Sequence, residues 1–408
     1  MVLGTMTFSI YTIGMAAEVQ DVNGLDSAQQ TIASDTARKE AVRSSWMDRT
    51  DVVVGVGMKD SKETHTQNHA IGASSSRHVL HTVTSKSLKS TEINKLYIET
   101  LQPITHYDEN AKSVVFVQGR IGRSGEKISS YKLEGYLEPA RPAGTFISHD
   151  EQIDTKESLG MNANIGIGYR RLSKGEHAYV GVNAFYDHVF KGGYKRVSGG
   201  VEYVAGLNEF HANLYRNLGT DERKYIGLHG RSLVLGDSTG LYPYGMDPDQ
   251  SLYNYGVVSY ENHWMLSEKV AASGFDVGYS RTFKNARWAR VYADYYNWRG
   301  REAVRVGYHK LKKRDAIKGF KVGAEFHITP HLTLDAGYQT ASHHLSGPYA
   351  TLKYTIGTSK FAWHGGKHSE NAITTARSKM LDKVHRSDMV VQEVEEETYD
   401  HGVVDVGL

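Results

Sequence analysis

The chain has no cysteine, only seven prolines and a net charge of just +2 over 408 residues. Without cysteine there is no disulfide framework, no thiol nucleophile and no thiolate metal ligand. So few prolines cannot make a Pro-rich linker. The small net charge supplies no field that would draw nucleic acid or an anionic surface. Also lacking is any run near the ~18 consecutive apolar residues that a membrane helix needs. A helical membrane protein is thereby excluded. A membrane β-barrel is not, because it places its apolar face at every second position only.

What is present is a two-residue beat. Met161, Ala163, Ile165, Ile167 and Tyr169 alternate with Asn162, Asn164, Gly166, Gly168 and Arg170. Successive side chains of a strand point to opposite faces, so one face here is apolar and the other polar and small. Similar blocks lie at 96–104, 114–121, 178–189, 196–204, 209–218, 270–283, 288–298, 319–328, 332–340 and 349–357, eleven with the first. Tight turns at 106–112, 173–176, 206–208, 284–287 and 329–331 alternate with connections that are mostly longer, at 123–160, 191–195, 219–269, 299–318 and 341–348. Short turns at one rim and long loops at the other are the pattern of a membrane barrel. Bacterial barrels close with an even strand number, so parity predicts a twelfth strand. It is expected at 77–88, where His78, Leu80, Thr82 and Thr84 alternate weakly.

The faces support a wet interior. Phe320, Val322, Ala324 and Phe326 oppose Lys321, Gly323, Glu325 and His327, and Leu332, Leu334 and Ala336 oppose Thr333, Asp335 and Gly337. A soluble sandwich would need its inner face filled by bulky apolar groups from two sheets. Tyr169, Tyr186, Tyr203, Tyr338, Tyr354 and Trp288 lie near block ends, as interfacial girdles require. The expected fold is all-β: a transmembrane antiparallel barrel of about 12 strands. Its predicted lumen-lining residues are Asn162, Asn164, Arg170, Asn183, Asp187, Asn213, Glu325 and Asp335.

Outside the barrel, residues 1–17 end in small residues and read as a signal peptide, with a stray buried strand as the other reading. Residues 18–76 are polar, with a helix predicted over 36–47 from Ala37, Ala41, Val42 and Trp46. After the last block, Ala372, Ile373, Ala376, Met380, Leu381 and Val384 space an amphipathic helix over 370–386.

Catalytic constellations are poor. The pairs His65/His69, His78/His81 and His343/His344 lack a third ligand, and Asp247-Pro-Asp249 fits an ordinary turn. Asp187 and Asp294, with His188 nearby, accompany no nucleophile elbow, phosphate loop or paired-acid motif. No enzyme activity, cofactor, metal or nucleic-acid partner is expected.

In order along the chain stand Tyr-Ile-Glu-Thr-Leu-Gln-Pro-Ile (97–104), Val-Phe-Val-Gln-Gly-Arg (115–120), Asn-Ile-Gly-Ile-Gly-Tyr-Arg (164–170), Gly-Val-Asn-Ala-Phe-Tyr-Asp-His (181–188) and Asn-Leu-Tyr (213–215). Together they resemble the β-domain of inverse autotransporters, the intimin/invasin family, across roughly residues 77–397. The resemblance implies a twelve-stranded barrel in the outer membrane of a Gram-negative bacterium, both barrel ends periplasmic. It implies outer-membrane lipid and the barrel assembly machinery as partners. It also implies a linker running back through the pore to a surface passenger, usually Ig-like repeats acting in cell adhesion. Asp382-Lys-Val-His-Arg386 with Met389-Val-Val-Gln-Glu393 resembles that linker, which makes Met380, Asp382, Val384 and Arg386 its pore residues. The residues after Glu397 are too few for an Ig-like module.

The expected domain order is therefore signal 1–17, periplasmic region 18–76, barrel 77–358, linker 359–397 and tail 398–408. The expected function is a translocator and anchor that threads its own C-terminal segment to the surface, its passenger missing or vestigial. A second reading is a passenger-free barrel. Its long loops would contact a host-cell or surface ligand, or its lumen would conduct small solutes.

Overall fold

A computed structural model describes residues 45–71, 78–108, 110–140, 145–219, 222–235, 255–300, 304–306, 309–311, 316–342, 346–357 and 376–407. The first half holds β1 (Thr50–Ile71), β2 (His78–Pro103), β3 (Ser113–Arg123), β4 (Glu126–Ala140), β5 (Thr145–Ser158), β6 (Met161–Leu172), β7 (Ala178–Val189), β8 (Lys195–Ala205) and β9 (Asn208–Asn217). The second holds β10 (Glu222–Leu235), β11 (Tyr255–Ala271), β12 (Gly274–Phe283), β13 (Ala286–Trp298), β14 (Val304–Val306), β15 (His309–Leu311), β16 (Ile317–His327), β17 (Leu332–Gln339), β18 (Gly347–Thr355) and β19 (Val390–Gly407).

Twelve of these strands form a closed antiparallel ring in the order β1, β2, β3, β6, β7, β8, β9, β12, β13, β16, β17 and β18. The ring closes where β18 returns to β1, from Asp51↔Thr355 to Val56↔Ala350. Closure leaves no open edge within the barrel wall. β1 starts opposite the end of β2 and β18 ends beside that start, so both barrel termini lie at the short-turn rim.

The polarity of the wall is inverted relative to a soluble protein. Ile165, Ile167 and Leu214 are 58%, 51% and 67% exposed on the outside, whereas Arg170, Asp187 and Asn213 are 0%, 5% and 3% exposed inside. Such an outer surface is stable only against hydrocarbon.

Parity was right and the place was not: the twelfth strand is the first part of β1, not 77–88. Val52, Val54 and Val56 face outward while Asp51, Val53, Gly55 and Gly57 face inward. Three consecutive valines mask the beat there. Residues 78–88 instead form the outer half of β2, paired with Ser61–Ile71 of β1 beyond the barrel. At 26 residues β2 far exceeds the ~10 that span a bilayer, and its outer half has no lipid face to signal. The barrel therefore begins at Thr50, inside the stretch 18–76 expected to be periplasmic. The helix expected at 36–47 and the signal at 1–17 lie outside the described residues, apart from a one-turn 3-10 helix at Met47–Arg49.

The long connections are not loops. Residues 123–160 contain the β4–β5 hairpin and 219–269 the β10–β11 hairpin. The block read as one strand over 270–283 is divided, with β11 ending at Ala271 and β12 starting at Gly274. β5 pairs with the outer half of β1, and β19 lies between β4 and β11. The result is an outer sheet of order β2–β1–β5–β4–β19–β11–β10 continuous with the long-loop rim. The stretch 398–408, expected to be a tail, belongs to β19 as far as Gly407.

Candidate functional site

Residues 376–389 lie inside the barrel and run from one rim to the other. A 3-10 turn at Ala376–Lys379 docks on the short-turn rim. There Arg377 Nη2 meets Glu176 Oε1 at 2.8 Å and Arg377 Nη1 donates to the Ala111 carbonyl at 2.6 Å. Tyr107 Oη donates to the Arg377 carbonyl at 3.3 Å, and burial pushes that phenol up to about 12. At the other rim Asp388 pairs with Arg120 at 2.7 Å and Lys95 at 3.5 Å.

Between the rims the segment turns again at 380–382 and then runs without turns over 383–389. Arg170 Nη1 donates to the carbonyls of Met380 and Asp382 at 2.8 and 2.6 Å. The Val384 N–H donates to Gln118 Oε1 at 2.9 Å, and Asn213 Nδ2 donates to the His385 carbonyl at 3.0 Å. Arg196 reaches the carbonyls of Ser387 and Asp388, and the Ser387 N–H finds Tyr215 Oη at 2.8 Å. The helix expected over 370–386 is therefore corrected for its described part. The Met380 and Asp382 N–H groups still bond back within the segment, but from the Met380 carbonyl onward the wall takes main-chain groups that a helix would satisfy internally. Residues 370–375 lie outside the described residues.

Buried charge is paired across this contact. Arg386 holds Asp187 through two hydrogen bonds of 2.7 and 2.6 Å, and Arg196 Nε joins the same carboxylate at 2.9 Å. Lys379 meets Glu209 at 2.5 Å, and Lys383 pairs with Asp51. Arg170 is fixed by Glu202 at 2.5 and 3.0 Å. Such charges persist away from water only when paired and hydrogen-bonded. Aromatic rings complete the cradle: Arg170 lies over Phe116 at 4.6 Å, Arg196 over Tyr215 at 4.3 Å and Arg386 over Phe185 at 4.4 Å. A side chain at Gly166 or Gly168 would collide with the Phe185 or Phe116 ring.

All eight residues expected to line the lumen face it, but they do not form one site. Arg170, Asp187 and Asn213 grip the segment. Asn183 crowds Gly200 beside Asn213, and Asn164 accepts from Arg120 at 3.0 Å. Asn162 bonds to the Ser124 and Gly160 carbonyls at the rim. Glu325 pairs with Arg290 at 2.6 Å, and Asp335 accepts from Tyr292 Oη at 2.5 Å on the opposite wall. Of the four linker residues, Met380 and Val384 pack with Leu101, Phe116, Tyr179 and Phe185. Arg386 binds Asp187, and Asp382 contributes its main chain.

Sequence reasoning missed Gln118, Arg120, Arg196, Glu202 and Glu209 on the wall, and Arg377, Lys379, Lys383 and Asp388 on the segment. A usable signal existed: cations recur through 377–386 while acids recur on inward parity. The lumen is filled on one side, and a cavity of about 270 Å³ remains beside the segment, bordered by Lys95, Tyr292, Asp294, Lys321, Asp335 and Tyr349.

A closed ring with an apolar outside and a charged lumen occupied by its own chain defines an integral outer-membrane β-barrel of the translocator class. The family model for the inverse autotransporter β-domain matches residues 151–388, more than half of the sequence, and the chain belongs to that family. Its place is the outer membrane of a Gram-negative bacterium. The match ends at Asp388, the last residue gripped inside the lumen.

A structure from a study of the in-meso crystallization of membrane proteins aligns at 14% identity and TM-score 0.44, covering 85% of this chain and all (100%) of that one. The translocator domain of the autotransporter NalP from Neisseria meningitidis aligns at 11% identity and TM-score 0.21, covering 81% of this chain and 97% of that one. The β-domain of the Bordetella autotransporter BrkA aligns at 9% identity and TM-score 0.20, covering 73% and 99%. No curated protein matches the chain.

Proposed function

We propose that this barrel passes its own C-terminal segment from the periplasm to the cell surface and then retains it as plug and anchor. The observation that carries this reading is the rim-to-rim course of residues 376–389, gripped by main-chain hydrogen bonds from Arg170, Gln118, Asn213 and Arg196. Short turns mark the periplasmic side of such barrels and long connections the outer side, which gives the course a direction. The work is physical rather than catalytic. Insertion by the barrel assembly machinery is part of the same reading.

The cysteine-free sequence makes the test simple. Gln118→Cys with Val384→Cys should be bridged in the outer membrane by a short bifunctional maleimide, which replaces the reach of the Gln118 side chain to the Val384 N–H, and an epitope placed after residue 408 should be accessible on intact cells. An inaccessible epitope, or no bridge in a heat-modifiable barrel, overturns the reading.

A further inference from the structure

Without β19 the outer sheet would be two separate pieces. One is β2–β1–β5–β4 and ends on the edge of β4; the other is β10–β11 and ends on the edge of β11. The gap between those edges is one strand wide. β11 pairs antiparallel with β19 along its length, from Tyr255↔Gly407 to Ala271↔Val391. β4 pairs in parallel with the first half, from Val390↔Glu126 to Thr398↔Glu134.

Both edges reach the mouth of the lumen. The Glu126 N–H donates to the Met389 carbonyl at 3.0 Å, and the Ala272 N–H donates to the Val390 carbonyl at 2.8 Å. Gly125, at φ +93, lies so close to Met389 that a Cβ would strike its carbonyl. Successive carbonyls of the chain leaving the lumen are thus bonded to opposite edges.

Main-chain pairing accepts any extended chain, and side chains add the preference. Glu393 accepts from Tyr194 Oη at 2.8 Å and faces Lys127 at 3.5 Å. Glu397 accepts from Tyr131 Oη at 2.8 Å. These contacts fit an acidic strand.

We propose that β4 and β11 form a strand-acceptor slot at the lumen mouth, specific for an acidic extended segment and filled by residues 390–407 of this chain as they emerge. The proposal rests on the export reading above, since the slot is reached through the lumen. Filling it joins the two pieces into one sheet and covers two bare strand edges. The emerged segment is then held outside.

The test uses the full chain. Ser267→Cys with Glu395→Cys joins Cα partners of β11 and β19, whose spacing suits a disulfide. This bridge should form alongside the lumen bridge of Gln118→Cys with Val384→Cys. The offset pair Ser267→Cys with Glu397→Cys should not bridge. Val394→Pro with Glu396→Pro removes two main-chain donors of β19. It should slow appearance of the epitope about tenfold, with the lumen bridge still forming. Glu393→Lys with Glu397→Lys should lower the yield of the slot bridge.

A lumen bridge without a slot bridge overturns the slot alone; loss of both overturns the export reading with it. A slot bridge as good in the offset register, or an unchanged rate in the proline variant, overturns the slot. An unchanged yield in the lysine variant overturns its acidic preference.

Discussion

Arg170 is the residue on which wall and plug meet. Its guanidinium is fully buried, forks onto Glu202, stacks on Phe116 and still donates to two carbonyls of the segment. Replacing it with Met strands the Glu202 carboxylate, and removing one partner of a buried pair costs about 3–5 kcal/mol. Arg170→Met should therefore lower the urea midpoint of the refolded barrel, while Arg170→Met with Glu202→Leu should recover part of the loss. Sequence parity placed Arg170 inside. It could not reveal the partners, because Glu202 and the carbonyls of Met380 and Asp382 come from distant positions whose register only the closed ring defines. Arg386 and Asp187 are a similar case: both were named, but nothing in their spacing linked them.

At the scale of elements, the lipid-facing side chains carry the clearest signal. Ile167 sits mid-strand on the outer face of β6, so Ile167→Arg should cost about 2–4 kcal/mol in vesicle refolding if it meets the bilayer centre. An arginine at the neighbouring inward positions would instead clash with Phe116 or Phe185. Eleven strands were legible because one face met hydrocarbon and the other did not. The outer hairpins β4–β5 and β10–β11 were illegible for the converse reason, since they extend beyond the barrel wall, where no lipid face demands an alternation. The plug reads as a helix because its apolar spacing is helical, yet the wall outbids the helix for its main chain.

The outer sheet also has a pH dependence. Glu157 bridges Lys127 at 2.7 Å and Lys59 at 3.8 Å, and the Lys127 hydrogen bond pulls its carboxyl below the ordinary range. A depressed carboxyl stabilises above its unfolded value, near ~4.3, and that contribution disappears as pH falls through the lower folded value. Protection of the β4 and β5 amides against hydrogen exchange, relative to the intrinsic rate, should fall below about pH 4, and Glu157→Gln should flatten the profile.

Taken whole, the molecule is a barrel whose lumen is partly filled by its own continuation. Loosening the plug with Lys379→Ala and Arg386→Ala should raise planar-bilayer conductance above that of the parent, whose remaining cavity is about 270 Å³. Equal conductance would mean that the plug does not limit flow. The even strand number that brings both barrel ends to one rim came from the parity rule for bacterial barrels applied to eleven visible blocks, not from the pattern of the twelfth strand itself. The outward course of the segment was an expectation from family resemblance; what the structure shows is the segment held inside the lumen. β19 has one further consequence, a mechanical one. It runs along the direction in which anything attached beyond Gly407 would tug, so its pairs with β11 and β4 are loaded side by side in shear and must yield together. Peeling, which breaks pairs one after another, is not available to a force along that axis. If the segment is exported as proposed, drag at the cell surface would be met first by a sheet and then by the arginine clamps beneath it.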